Sequence, residues 1–299
     1  MSRPAAALAL LVAMAGAGAA SFRGDRGPAL SRLTDDGLEK ERPAWSPDGT
    51  RLLVARHEAD GSHIRLYLLE RDRPPRRLTD RTPPVEYHGA WTPDGATILF
   101  AAISLSGTQG NVDIAAISPD GKGFEVRVGD RGGKLAHQDW PSPSPDGSRF
   151  AFSSTHEGNQ EIYTAKSDGT DLVRVTQSPG HEAHPCWSAD GRILFATDRW
   201  GGLELAAAAP DGSKVERLTA SPGLDDYPAA SPDGKSVVFV SNRDGQYELY
   251  RAAADGTGAT NLTRHPARDT HPCWTPDGKA ITFVSDRDSR VELYTRAVE

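Results

Sequence analysis

Ser231-Pro232-Asp233-Gly234, followed by Ser236-Val237-Val238-Phe239-Val240-Ser241, is the stretch that decides the fold. Proline pre-sets φ for the first corner of a turn, aspartate satisfies turn amides, and glycine accepts positive φ. The run that follows is β-branched and aromatic and stops at Asn242-Arg243-Asp244-Gly245, a strand held between two turns. Beyond it, Tyr247 to Ala252 alternates toward Asp255-Gly256, and a last piece ends in Asn261-Leu262-Thr263. With the extended piece from Tyr227 to Ala230 in front, the unit reads as a four-stranded antiparallel meander.

The same tetrapeptide stands at Ser46 to Gly49, Thr92 to Gly95, Ser144 to Gly147, Ser188 to Gly191 and Thr275 to Gly278. Its six aspartates are 46, 52, 44, 43 and 44 residues apart. Four-stranded units at this period are propeller blades, because a lone meander cannot bury both faces. The expected fold is therefore all-β: a six-bladed β-propeller of four-stranded antiparallel blades. Trp45, Trp91, Trp187 and Trp274, each three residues before a turn aspartate, are expected between blades. Arg-Leu-Thr-like pieces end five units, the sixth unit has none, and Arg32-Leu33-Thr34 precedes the first. Moving this N-terminal strand onto the last blade closes the ring and removes two exposed sheet edges.

Met1 to Ala20 reads as a secretory signal peptide: Arg3, an apolar run too short to span a bilayer, then small residues. Residues 21–28 are a short linker and 29–299 the propeller, with no transmembrane segment expected in the mature chain. A periplasmic or secreted location follows. The 34 basic against 41 acidic residues, a net charge of −7, argue against nucleic acid as the partner. Cys186 and Cys273 fall at equivalent points of blades four and six, too far apart for the roughly 7 Å a disulfide spans, so free thiols are expected.

The pattern W-S-P-D-G, an apolar strand, S-x-R-x-G, E-L-Y, D-G and R-L-T resembles the repeat of the TolB β-propeller family, over residues 29–299. That resemblance implies a periplasmic protein that works through protein partners. TolB itself carries an α/β domain ahead of its propeller, so this chain resembles a stand-alone propeller. The same repeat type occurs beside serine peptidases and in a metal-dependent oligogalacturonate lyase. No G-x-S-x-G nucleophile motif is present here.

Ligands of propellers meet the mouth of the central channel, which the innermost strands line. Six residues before each turn aspartate stand Arg42, His88, Trp140, His184, Tyr227 and His271, with Glu41, Glu86, Asp139, Glu182, Asp225, Asp226 and Asp269 just ahead of them. They define an expected acidic, imidazole-rich rim that binds a protein or peptide partner. His88, His184 and His271, in alternate blades, are the candidate ligands of a divalent metal, although no cofactor is expected. The leading function is a non-catalytic, monomeric binding or scaffold module of the cell envelope. The alternative is a metal-dependent polysaccharide lyase or hydrolase with His137 as base and the insertion around Gly129 to Lys134 as a lid. Recurrent Arg199/Glu204, Arg243/Glu248 and Arg287/Glu292 are expected as cross-strand pairs.

Overall fold

A computed structural model describes residues 30–80, 85–103, 111–129 and 136–298. The expected signal peptide and most of the expected lid lie outside the described residues. Six four-stranded antiparallel sheets follow one another around a central axis. Their innermost strands are Lys40–Trp45, Glu86–Trp91, Gln138–Pro143, Glu182–Trp187, Asp225–Ala230 and Asp269–Trp274. Among the described residues no helix is long and apolar enough to cross a membrane.

The second strand of each blade is buried on both faces along its centre, which is why its central residues are mostly apolar instead of alternating. Val54, Phe100, Phe152, Phe195, Phe239 and Phe283 hold equivalent places in it, and none is exposed. The apolar clusters form at the seams, each drawing on two neighbouring blades. Tryptophans add to them: Trp91 donates its indole N–H to Ala44 O at 3.1 Å and Trp274 to Ala229 O at 2.9 Å, each in the preceding blade.

Leu30–Arg32 pairs antiparallel with Glu292–Ala297, so the chain's first described strand is the outer strand of the last blade. The Arg-Leu-Thr signature has a physical reason. Its leucine is buried, as Leu33, Leu78 and Leu218 are, and its threonine hydroxyl bonds a buried carboxylate. Thr219 bonds Glu204 at 2.9 Å, while Arg217 reaches the other oxygen of that carboxylate at 2.8 Å.

This arrangement corrects the expected cross-strand pairs. Arg199 bonds Glu182 at 3.0 Å, Arg243 bonds Asp225 at 2.9 Å and Arg287 bonds Asp269 at 2.8 Å. Thr197 pairs with both Glu182 and Glu204, so Arg199 has a carboxylate on either side. It takes the inner one because Arg217 and Thr219 already hold the outer.

Candidate functional site

Every innermost strand carries a β-bulge at the same place. Asp139 pairs with Ser153 and Ser142 with Ala151, three steps on one strand against two on the other, and the other five blades repeat the irregularity. The bulged residues are Arg42, His88, Trp140, His184, Tyr227 and His271, with φ between 42° and 56°. Positive φ strains a non-glycine residue by about 1–3 kcal/mol. A bulge re-aims a side chain, and here six of them turn toward the axis.

They form a plug. The Trp140 indole lies 4.3 Å from the His88 ring centroid, 4.5 Å from His184, 5.3 Å from Tyr227 and 6.1 Å from His271. The Arg42 guanidinium sits 4.3 Å from the same indole. Trp140 is only 6% exposed, so the channel is closed at this level.

Carboxylates brace the layer by one repeated device. Asp139 Oδ1 accepts from its neighbour's backbone, Trp140 N at 2.6 Å, and from His88 Nδ1 of the preceding blade at 2.7 Å. Asp226 Oδ1 does the same with Tyr227 N at 2.7 Å and His184 Nδ1 at 2.6 Å. Glu41 adds a second carboxylate 3.5 Å from His88 Nε2.

The electrostatics follow. Burial disfavours the His88 cation, but Asp139 and Glu41 outweigh it and hold its pKa above the ordinary imidazole value. The hydrogen bond from His88 likewise keeps Glu41 below the usual carboxylate range. Among the described residues His271 has no such carboxylate bond, its Nδ1 lying 3.2 Å from Thr270 Oγ1. Burial, with His88, His184 and Arg268 nearby, pushes its pKa down to about 3, and it is neutral at pH 7.

Above the plug, a cavity of about 270 Å³ is floored by His88, Trp140, His184, Tyr227 and His271. Glu39, Glu41, Arg268 and Asp286 line its walls. A second cavity of about 270 Å³ lies below the plug, toward the Pro-Asp-Gly turns.

The profile described as the TolB beta propeller domain matches residues 132–226 and 219–299, more than half of the chain. The chain belongs to the TolB β-propeller family. A TolB homologue from Chlorobium luteolum is 31% identical over 137 residues, 46% of this chain and 29% of that protein. Among solved structures, a TolB candidate from Agrobacterium tumefaciens has a TM-score of 0.71 at 23% identity, covering 89% of this chain and 92% of that one. An oligogalacturonate lyase in complex with manganese has a TM-score of 0.62 at 15% identity, covering 90% and 93%. At these identities the likeness to both structures concerns the fold. The chain spans less than half the length of the curated relatives it matches.

In this TolB-family propeller the channel receives all six bulge residues but only Glu41, Asp139 and Asp226 of the seven carboxylates read from the sequence. Glu86, Glu182, Asp225 and Asp269 begin their strands one step earlier, face the seams and are fully buried. Strand alternation separates the two sets: adjacent residues face opposite ways. Arg42 lines the lower cavity and not the upper mouth. His137 is exposed where the third innermost strand begins. Glu39, Arg268 and Asp286, which no repeat position singles out, complete the mouth.

The three imidazoles do not fit a common metal in this arrangement, because Trp140 and Tyr227 stand between them. Among the described residues no group of three or more His, Cys, Asp or Glu side chains is placed to hold a metal ion.

Proposed function

We propose that this TolB-family propeller is an exported, non-catalytic binding module of the cell envelope that captures a protruding segment of a protein partner at the upper mouth of its channel. The carrying observation is the blind cavity of about 270 Å³ floored by the rings of Trp140, Tyr227, His184 and His271. A cavity of that size, near the lower end of ligand sites, suits one or two side chains rather than a long polymer. Rigid aromatic anchors in a desolvated pocket supply most of the affinity of such contacts. Glu39, Glu41 and Asp286 stand at the mouth beside Arg268 and the charged His88, so the segment meets polar groups of both signs, and charge of this kind acts mainly on selectivity and on-rate.

The family supports an envelope setting, and the signal-like residues 1–20 support export. A lyase reading has the fold of the manganese-bound structure behind it, but His88 and His184 are braced by Asp139 and Asp226, and all three imidazoles are separated by rings, which does not favour a shared metal.

The test places a photo-crosslinking residue at Glu39, on the upper rim, and in a second variant at Thr50, beside a lower turn. Discrete adducts from the upper position alone, weakened by Glu39→Lys introduced beside a probe at Arg268, are expected. Adducts confined to the lower position, or turnover of polyuronates by the purified chain, would overturn the reading.

A further inference from the structure

The lower cavity has a different chemistry from the upper mouth. Pro43, Pro185, Pro228 and Pro272 form much of its wall, and Cys186 and Cys273, both free thiols, line it as well. Arg42 is the one charged side chain among its described lining residues. Its Nη1 donates to His88 O at 2.8 Å and its Nη2 to Pro141 O at 2.6 Å. A guanidinium carries five N–H donors, so three remain. No described carboxylate lies within ion-pair distance of it: Asp139, whose charge favours the cation from farther off, is committed to His88 and Trp140 N.

A cation held in an apolar-walled space with spare donors, and with only the more distant, shared charge of Asp139 to balance it, is complementary to an anion, since burying poorly paired charge is costly. The planar guanidinium favours carboxylates in particular. Burial brings the Arg42 pKa down to about 10, which leaves it charged at neutral pH. The thiols do not supply the anion: burial pushes Cys273 up to about 11 and raises Cys186 as well. Six turn aspartates mark the face outside, and Arg51, Arg149, Arg192, Lys235 and Lys279 follow five of them in sequence.

We propose that the lower cavity is a binding site for a small carboxylate, with Arg42 holding the anion and the proline walls holding a compact apolar body. About 270 Å³ accommodates a single aromatic ring or a short aliphatic chain and little more. The site lies on the far side of the Trp140 layer from the mouth proposed for the partner, so either reading can fail alone.

Benzoate and its neutral isostere benzamide are the probes. Calorimetric titration of the full chain with sodium benzoate is expected to show saturable binding. Benzamide, and benzoate with Arg42→Gln, are expected to bind at least about tenfold more weakly, the effect of losing charge-assisted hydrogen bonds. Benzoate should also slow alkylation of Cys186 and Cys273 by N-ethylmaleimide, which locates the binding. Equal affinity for benzoate and benzamide, an absence of saturable binding, or alkylation unaffected by benzoate would each overturn the proposal. Should Arg42→Gln fail to fold, the two probes and the alkylation rates on the native chain decide it.

Discussion

The Lys40 ammonium lies 3.2 Å from the Glu292 carboxylate, across the seam where the first blade meets the last, and neither side chain is exposed. Lys40 also bonds Asp36, Leu38 O at 2.7 Å and Val291 O at 3.1 Å, while Glu292 takes Thr34 and Gly37 N. Ring closure therefore rests on a buried polar network as well as on strand pairing. Removing one partner of a buried pair strands the other, at about 3–5 kcal/mol. Lys40→Met is expected to lose that much in urea unfolding, and adding Glu292→Gln should restore part of it. Arg32→Ala, which breaks the exposed pair with Asp288 at 3.5 Å, should cost under about 1 kcal/mol. Equal losses for Lys40→Met and Arg32→Ala would count against the network.

A second seam holds two acids. Glu161 Oε1 accepts from Arg174 at 2.9 Å and Ser178 N at 2.8 Å; Glu182 Oε1 accepts from Arg199 at 3.0 Å and Thr197 at 2.8 Å. The remaining Oε2 atoms are both buried with no donor aimed at either, and each carboxyl acts on the other's ionisation. Two carboxylates in contact cannot both ionise cheaply, so one proton stays between them. Burial together with Glu161 raises the Glu182 pKa. Glu161 goes the other way: burial opposes ionisation, but the bonds from Glu182, Ser178, Thr176 and Arg174 lower its pKa. The raised group contributes stability that is lost as pH rises through its folded pKa, and the lowered one stability that is lost as pH falls through its own. Glu182→Gln keeps a donor at every pH, so its urea midpoint should stay flat where the native chain declines, as pH rises from the ordinary glutamate value through the raised one. Parallel profiles would refute the shared proton.

The repeat made six blades and the closing strand legible, because turn chemistry and strand composition are local properties that recur in register. The facing of the polar residues was not local. Glu182 and Asp226 look alike in sequence, yet Glu182 opens its strand against a seam while Asp226 precedes a bulge and braces His184. The bulge itself left a trace, since five of the six bulged residues precede a proline. That position disfavours helical geometry but does not announce positive φ. Arg42 shows the limit, since its place beneath the Trp140 indole depends on which of six side chains occupies the axis first.

His88 should titrate above the ordinary imidazole range, whereas His271 should remain neutral down to a pH of about 3. Histidine proton resonances followed by NMR check both. Asp139→Asn removes the partner at 2.7 Å, so the His88 pKa should fall. The stability contributed by charged His88 is present at and below its unfolded pKa and fades as pH rises through the elevated folded value. Asp139 and Glu41, both held low, contribute in the opposite sense and are lost on acidification. An unmoved His88 titration in Asp139→Asn would show that the brace is not electrostatic.

Trp140 separates the two cavities and touches five of the axis residues, so its removal joins the mouth to the lower chamber. Truncating a buried tryptophan costs about 3–5 kcal/mol, and Trp140→Ala should lose about that in urea unfolding. The informative comparison is with Trp140→Gly. In an ordinary strand glycine is less stable than alanine by about 0.5–1 kcal/mol. At a φ of 56° the order should reverse, because glycine alone releases the strain of the bulge. Chemical denaturation of the two variants side by side reads the sign directly. Alanine more stable than glycine here would mean that the bulge, and with it the inward aim of the six side chains, is not as described.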